Sequence, residues 1–511
     1  MALIIMTAYY FLPAILFALI ISKLLISSKN KRRRTDLPPS PPSLPFIGHL
    51  HLLKEPIHRT LQTLSQQYGP IYLLSLGVKN VVVVSSPSLA EECFNKNDIV
   101  LANRPMSISG KIINYNYTTV AAAPYGPHWR NLRRFTAVEL LSTARLNSSV
   151  GIRQDEVRLL ISSLFDKVSG AGGGSGFGEV EMRSRLNGLS LNIVMRMVAG
   201  KRYFGTEGAA EEGERFQEVI REVFDVSGAS NPADFLPVLR WIDYGGMEKR
   251  MRRVFAKFDA VFQDLIEEHR GREEDSTRSK TMIGAFLTLQ ESEPETYSDD
   301  VIKGHVMQTI ILAGTDTSAA TIEWAMSLLL NHPKILNKAR TELDDVVGKN
   351  RLVQESDYVK LPYLQSIINE TLRLYPVAPL LVPHYSSDNC TIGGYHIPKG
   401  TTLLANAWAI HRDPEVWDDP TNFRPERYEG LEVEGYKLLP FGMGRRSCPG
   451  SGLANKVVSL ALGALIQSFE WKRISEESLD MSEGQGLTMP KVEPLRALCK
   501  VRECLKDVLI V

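Results

Sequence analysis

The 511-residue chain carries 59 Lys and Arg against 58 Asp and Glu, so it lacks the basic excess of a nucleic-acid-binding protein. Apolar residues make up 44%, an ordinary share for a globular chain with a large core. Five cysteines (Cys93, Cys390, Cys448, Cys499 and Cys504) are odd in number and irregularly spaced, which argues against a disulfide framework and for a reducing compartment.

Met1 to Ser22 holds no charged side chain, and its length suits one bilayer crossing. It is long for a signal-peptide core, and no small-x-small cleavage site follows, so residues 1–28 are expected to be a transmembrane anchor rather than a cleaved leader. Lys29, Lys31, Arg32, Arg33 and Arg34 come next and place the following chain on the cytosolic side. Prolines at 38, 39, 41, 42 and 45 stiffen the backbone, so residues 29–48 read as a basic and proline-rich hinge. A ligand for a proline-recognising domain is disfavoured, because the segment abuts a membrane-surface cluster.

Residues 49–511 show no repeat and no second-domain linker. Ile71–Leu76 and Asn80–Val84 are short apolar β-branched runs around Gly77, a hairpin pattern, and Pro87 to Asn95 reads as a helix start. Asn103 to Tyr125 is rich in Asn, Tyr, Thr and Ala. Trp129 to Arg134 follows Pro127 and reads as a helix with Trp129 and Arg133 on one face. Gly170 to Gly178 lacks both G-x-x-x-x-G-K-[ST] and a clear preceding strand, so it is a flexible link and not a nucleotide loop. His269 to Lys280 is a solvated charged run.

Val301 to Leu330 is helix-compatible with few breakers. Its centre, Ala313-Gly314-Thr315-Asp316-Thr317-Ser318, is poor helix chemistry, and its hydroxyls can bond back to carbonyls and bend the helix. Glu370 and Arg373 share a helix face, which ends by Tyr375 because Pro376 intervenes. In Pro440 to Gly450 one cysteine, Cys448, stands among glycines with Arg445 and Arg446 just before it. It has no partner at zinc-finger spacing. Leu453 to Phe469 then reads as a helix whose N-terminal amides would face the sulfur and stabilise a thiolate.

Phe441, Gly444, Arg446, Cys448 and Gly450 fit F-x-x-G-x-R-x-C-x-G and so resemble the haem-ligand loop of the cytochrome P-450 superfamily. Three further motifs stand in that family's order. Trp129-x-x-x-Arg133 matches W-x-x-x-R, and residues 313–318 match [AG]-G-x-[DE]-T-[TS]. Glu370-x-x-Arg373 matches E-x-x-R, followed by Pro425-Glu426-Arg427-Tyr428, which resembles P-E-R-F with Tyr for Phe. The resemblance runs from Pro38 to the C-terminus. Ala102-Asn103-Arg104-Pro105, Tyr125-Gly126, WRNLRR and AGTDTSA-x-T-x-E-W look like the plant A-type isoflavone hydroxylase/sesamin synthase family.

The resemblance implies a mainly α fold, a large helical domain plus a small β-rich lobe with haem b between them, behind an N-terminal transmembrane helix. It implies Cys448 as the iron ligand, with Trp129, Arg133, His384, Phe441 and Arg446 around the haem. Asp316 and Thr317 would supply protons. Glu370, Arg373 and Arg427 would form a buried structural network. Ala313, Val377, Ala378, Leu380, Leu487 and Thr488 would line the substrate pocket, under a roof formed by residues 103–125. The implied reaction is an NADPH- and O2-dependent monooxygenation of a small aromatic plant metabolite of flavonoid, isoflavonoid, lignan, benzophenone or xanthone type. No flavin or nicotinamide fingerprint is present, so electrons would come from a separate NADPH–cytochrome reductase, docking near Arg130, Arg134 and Arg445. The expected setting is a monomer anchored in the endoplasmic reticulum membrane. Two alternatives stand beside it: a haem-thiolate isomerase or dehydratase working without O2, and a non-catalytic haem-binding protein.

Overall fold

The computed structural model describes residues 36–170, 176–205, 210–228, 231–271, 281–307, 313–430, 435–486 and 488–509. The expected anchor (residues 1–28), the basic cluster, residues 171–175 of the glycine link, residues 272–280 of the charged run and Leu487 lie outside them.

Strands β1 (Ile71–Leu76) and β2 (Lys79–Val84) pair antiparallel around Gly77. Gly77 has φ +57°, and a Cβ there would sit 2.0 Å from the Phe235 carbonyl oxygen, so no other residue fits this turn. Further strands are β3 (Gly178–Glu181), β4 (His384–Tyr385), β5 (Cys390–Ile392), β6 (Tyr395–Ile397), β7 (Thr402–Ala405), β8 (Phe469–Lys472) and β9 (Arg496–Val501). One sheet has the order β1-β2-β7-β4, with β2 and β7 parallel; a second is β3-β9-β8; β5 and β6 form a pair.

The helices used below are α1 (Ile57–Tyr68), α2 (Pro127–Phe135), α3 (Val150–Gly170), α4 (Arg183–Ala199), α5 (Ala210–Gly228), α6 (Met247–Gly271), α7 (Met282–Ser292), α8 (Asp299–Met307), α9 (Asp316–Asn331), α10 (Pro333–Val346), α11 (Pro362–Leu374) and α12 (Ser451–Ser468). Proline at the first turn starts α2, α10 and α11, where its missing N–H costs nothing. Helix α11 stops at Leu374, before Pro376.

The expected helix over Val301–Leu330 is present as two described helices, α8 and α9, with a π-helical turn at residues 313–315 leading into α9. Residues 308–312 between them lie outside the described set. Thr317 Oγ1 donates to the Ala313 carbonyl at 2.7 Å, the back-bonding that opens a helix at this point. From Ser318 to Leu330 every side chain of α9 is buried. A helix apolar on all faces must lie inside its domain, and α9 packs against α4, α11 and α12. Its contacts join the main core, while the β1/β2 sheet closes two smaller clusters.

Candidate active site

Cys448 precedes α12, and its backbone N–H donates to the Phe441 carbonyl at 2.8 Å, closing the loop. Gly444 in that loop has φ +70°, and a Cβ would meet Asp98 Oδ1 at 2.5 Å and the Phe94 carbonyl at 2.8 Å. This is the physical reason for the glycine three residues after Phe441. The loop's start is held by His411, whose Nδ1–H donates to the Arg373 carbonyl (3.2 Å) while Nε2 accepts from Leu439 N–H (2.7 Å). Burial pushes the Cys448 thiol up; the Gly450 amide, Arg133 and the Ser451 amide oppose that by favouring the thiolate.

Three guanidinium groups stand beside this loop. Arg446 donates to the carbonyls of Ala102 (2.6 Å), Val120 (3.1 Å) and Ala123 (2.6 Å), and stacks 4.4 Å over the Trp129 ring. Arg104 donates to the carbonyls of Ala121 (3.2 Å), Val382 (2.9 Å) and Pro383 (2.8 Å). Arg133 forms no ion pair among the described residues, and neither do Arg104 and Arg446. Burial lowers all three; Arg446 adds its repulsion at Arg104, which falls to about 9, and Arg133 adds its own at Arg446, which falls to about 10. Clustered cations without a carboxylate partner are costly unless an anion joins them.

Other predicted haem contacts are already engaged. Trp129 Nε1 donates to the Val120 carbonyl at 2.9 Å. His384 Nδ1–H donates to the Leu101 carbonyl at 2.8 Å, which leaves Nε2 without a proton in the neutral ring. Burial lowers His384 to about 3, helped by Arg104 and Arg446. His384 therefore does not offer a carboxylate a hydrogen from Nε2 until a bound anion raises it. Phe441 is half-buried against the main core. Arg445 pairs with Asp98 at 2.5 Å and reaches the Tyr125 hydroxyl at 3.3 Å, while Arg130 lies over the same tyrosine ring. The cationic patch expected at Arg130, Arg134 and Arg445 is thus partly neutralised by Asp98.

Thr317 on α9 is half-buried and Ala313 in the turn before it exposed, although Ser318 and Ala319 just beyond are buried. Asp316 Oδ2 accepts the Thr488 hydroxyl, and burial raises the carboxyl above its ordinary range against the pull of Thr488 and Arg183. Met489 N–H donates to the Val377 carbonyl (2.8 Å), and Trp324 Nε1 to the Met489 carbonyl (2.9 Å). Asp316, Thr317, Ala313, Val377 and Thr488 are therefore linked through direct contacts and sequence neighbours. Ala378 is half-buried next to Val377. Leu380 packs against the cluster of Leu61, Tyr72 and Val83.

Glu370, Arg373 and Arg427 meet in the core. Arg373 grips both Glu370 oxygens (2.7 and 2.8 Å), and Arg427 Nε donates to Oε1 at 2.9 Å. Remaining Arg373 hydrogens go to the carbonyls of His411, Pro420 and Asn422, so both ions are satisfied although neither is exposed.

The residues 38–495 match the family model described as cytochrome P-450, and the chain belongs to the cytochrome P-450 family. It is a P-450 monooxygenase of mainly helical fold with small sheets, and the family's cofactor is haem held by a cysteine thiolate. Among curated relatives, cytochrome P-450 81Q32 of Catharanthus roseus is 57% identical, with 98% of each chain covered. The isoflavone 3'-hydroxylase of Medicago truncatula is 54% identical over 98% of this chain and 99% of its own. The (+)-piperitol/(+)-sesamin synthase of Sesamum radiatum is 51% identical, with 97% of each covered. A solved zebra fish cytochrome P-450 with progesterone superposes with a TM-score of 0.76 at 25% identity, covering 88% of this chain and all of that one.

The side chains present fit haem. Gly450 and Ser451 amides face a half-buried cysteine sulfur, and three guanidinium groups that pair with no carboxylate among the described residues stand ready for an anionic edge. Sequence reading missed Arg104 as a site residue. Its signal was in the ANRP string, but its partners, Val382 and Pro383, lie far away in sequence. It also missed His411, whose role rests on two backbone partners 28 and 38 residues away.

Proposed function

We propose that this protein hydroxylates a small aromatic plant metabolite of the flavonoid, isoflavonoid, lignan, benzophenone or xanthone type, using O2 and electrons from NADPH through a separate reductase. The observation that carries the reading is the Cys448 sulfur, faced by two amides beside a guanidinium group that pairs with no carboxylate among the described residues. Relatives named for isoflavone hydroxylation and sesamin synthesis support the aromatic substrate.

Haem bound through a thiolate supplies O2 activation and insertion of one oxygen atom into a C–H bond. Cys448 is the proposed ligand, and Arg133, Arg446 and Arg104 are the proposed counter-charges for the propionates. Trp129, with its N–H spent on Val120, supports Arg446 by stacking. His384 and Phe441 are proposed to pack at the haem edge. Thr317 directs its hydrogen to the Ala313 carbonyl, so its oxygen lone pairs remain to accept a hydrogen bond and order a water or a ligand hydroxyl. Asp316, raised by burial, keeps Oδ1 for exchanging a proton with that water. Ala313, Val377, Ala378, Leu380, Leu487 and Thr488 are proposed to shape the pocket. Glu370, Arg373 and Arg427 hold the core beneath it.

Residues 1–28 are proposed as the membrane anchor, 29–48 as the hinge and 49–511 as the catalytic domain, a monomer on the cytosolic face of the endoplasmic reticulum. No described helix is long and apolar enough to cross a membrane. The surface supports membrane association independently. Trp241 is 89% exposed and Ile242 70%, with Val238 and Tyr244 beside them. Val78 N–H donates to the Phe235 carbonyl and Gly77 N–H to the Ile47 carbonyl, so exposed Val78 and Phe46 adjoin the same edge as the hinge. Exposed apolar side chains of this kind suit a lipid surface.

The test is Cys448→His in reductase-bearing microsomes. The variant is expected to lose the red-shifted Soret band of the reduced carbonyl complex together with product formation. A retained band would assign the thiolate to another cysteine.

A further inference from the structure

The segment from Glu483 to Lys491 is built to hold one hydroxyl. Its two ends pair through Gly484 N–H to the Pro490 carbonyl (2.7 Å). Glu483 is buried and accepts from His58 Nε2 (2.7 Å), Arg59 Nε (2.7 Å) and Trp408 Nε1 (2.8 Å), which ties the turn to α1 and to the segment before the Cys448 loop. At the other end buried Lys491 donates to the Asp480 carbonyl and lies 5.1 Å over the Trp324 ring. Met489 is fixed on both sides, by Val377 and by Trp324. Between these anchors Thr488 gives its only hydroxyl hydrogen to Asp316 Oδ2. A buried carboxylate is oriented by whichever donor reaches it, and a supporting group locked from several directions fixes it tightly.

We infer that Thr488 is a positioning residue for Asp316, holding Oδ2 so that Oδ1 is presented to the Thr317 side of the helix. This rests on the reading of Asp316 as a proton-supplying group. The charged group that acts on Asp316 is Arg183 on α4, itself paired with Glu323 (3.0 Å). Arg183 acts on Asp316 from a distance, and Glu323 takes its ion pair, so the direct hydrogen bond of Thr488 is the orienting contact.

The experiment uses the full chain with haem, reductase and NADPH, in Thr488→Val, Thr488→Ser and Asp316→Asn, each normalised to its reduced carbonyl spectrum. Thr488→Val is expected to lower product per NADPH by about threefold, with the loss appearing as peroxide, while Thr488→Ser keeps the wild-type ratio because it keeps the donor. A second readout is the infrared carboxyl signal of Asp316 in the substrate-free protein, assigned by its loss in Asp316→Asn. Removing a donor from the ionised form moves its titration midpoint upward in Thr488→Val and leaves it in place in Thr488→Ser. An unchanged midpoint and ratio in Thr488→Val, with the ratio lost in Asp316→Asn, overturns the inference and leaves the role of Asp316 standing. A full ratio in Asp316→Asn overturns both.

Discussion

Arg104 concentrates the chemistry of the site at one residue. Its guanidinium is spread over three backbone carbonyls from two distant segments, yet no carboxylate among the described residues pairs with it and Arg446 repels it. An anion joining the half-buried cluster would offset that repulsion, which is why Arg104 is proposed as a counter-charge for the haem propionates. Arg104→Gln is therefore expected to release haem roughly tenfold faster to excess apomyoglobin, because a charged hydrogen bond is exchanged for a neutral one, with Arg104→Lys falling between. Equal release rates would show that Arg104 serves only to join the Ala121 and Val382 segments. The contrast with Cys448 shows what the sequence makes legible. Cys448 is marked by local constraints: a glycine at positive φ pressed on Phe94, a loop closed onto Phe441 and a helix start three residues later. Glu370 and Arg373 are likewise one helical turn apart. Arg104 sits in an irregular stretch, and its partners were invisible without the fold.

At the scale of an element, the turn from Glu483 to Lys491 and the opening of α9 behave differently as sequence. The opening is local, set by Thr317 bonding back four residues, and the hydroxyl-rich string forecasts it. What the string could not show is that regular helix resumes only at Asp316. The turn is anchored by His58 and Arg59, more than 400 residues earlier, so nothing in its own composition announces Glu483 as a hub. Burial raises the Glu483 carboxyl, but the hydrogen bonds of His58 and Arg59 outweigh it and hold the group at about 2, below its ordinary 4.5. A carboxyl depressed on folding adds stability above its unfolded pKa and loses it as pH falls towards the folded one. Glu483→Gln should thus lower the melting temperature near neutral pH. The gap to wild type should narrow as pH falls from about 4.5 towards 2. A gap independent of pH would mean that the side chain's shape, not its charge, holds the turn.

At the scale of the whole molecule, the side chains of Val238, Trp241 and Ile242 are exposed, and Phe235 shortly before them accepts from Val78 N–H, next to Gly77, whose N–H donates to the Ile47 carbonyl. In a chain lacking residues 1–28, Trp241→Asp with Ile242→Asp should markedly reduce flotation with phosphatidylcholine vesicles while leaving the reduced carbonyl spectrum intact, since neither side chain packs in the core. Unchanged flotation would place the lipid contact elsewhere. The helical body, its small sheets and the haem-thiolate class followed from motifs in order, whereas no motif names the substrate, and the proposed roof, residues 103–125, holds one short helix, Ile108–Ile112, in otherwise irregular chain. The reaction itself remains the decisive point. Microsomes bearing the protein and a plant reductase, supplied with NADPH and isotopically labelled O2, would be offered isoflavones, flavonoids, lignans, benzophenones and xanthones, with products read by mass spectrometry. A monooxygenase of this kind gives, from at least one aromatic substrate, a product carrying one labelled oxygen atom only when NADPH is present. Product that forms without NADPH and carries no label would contradict it and assign the protein to oxygen-independent rearrangement.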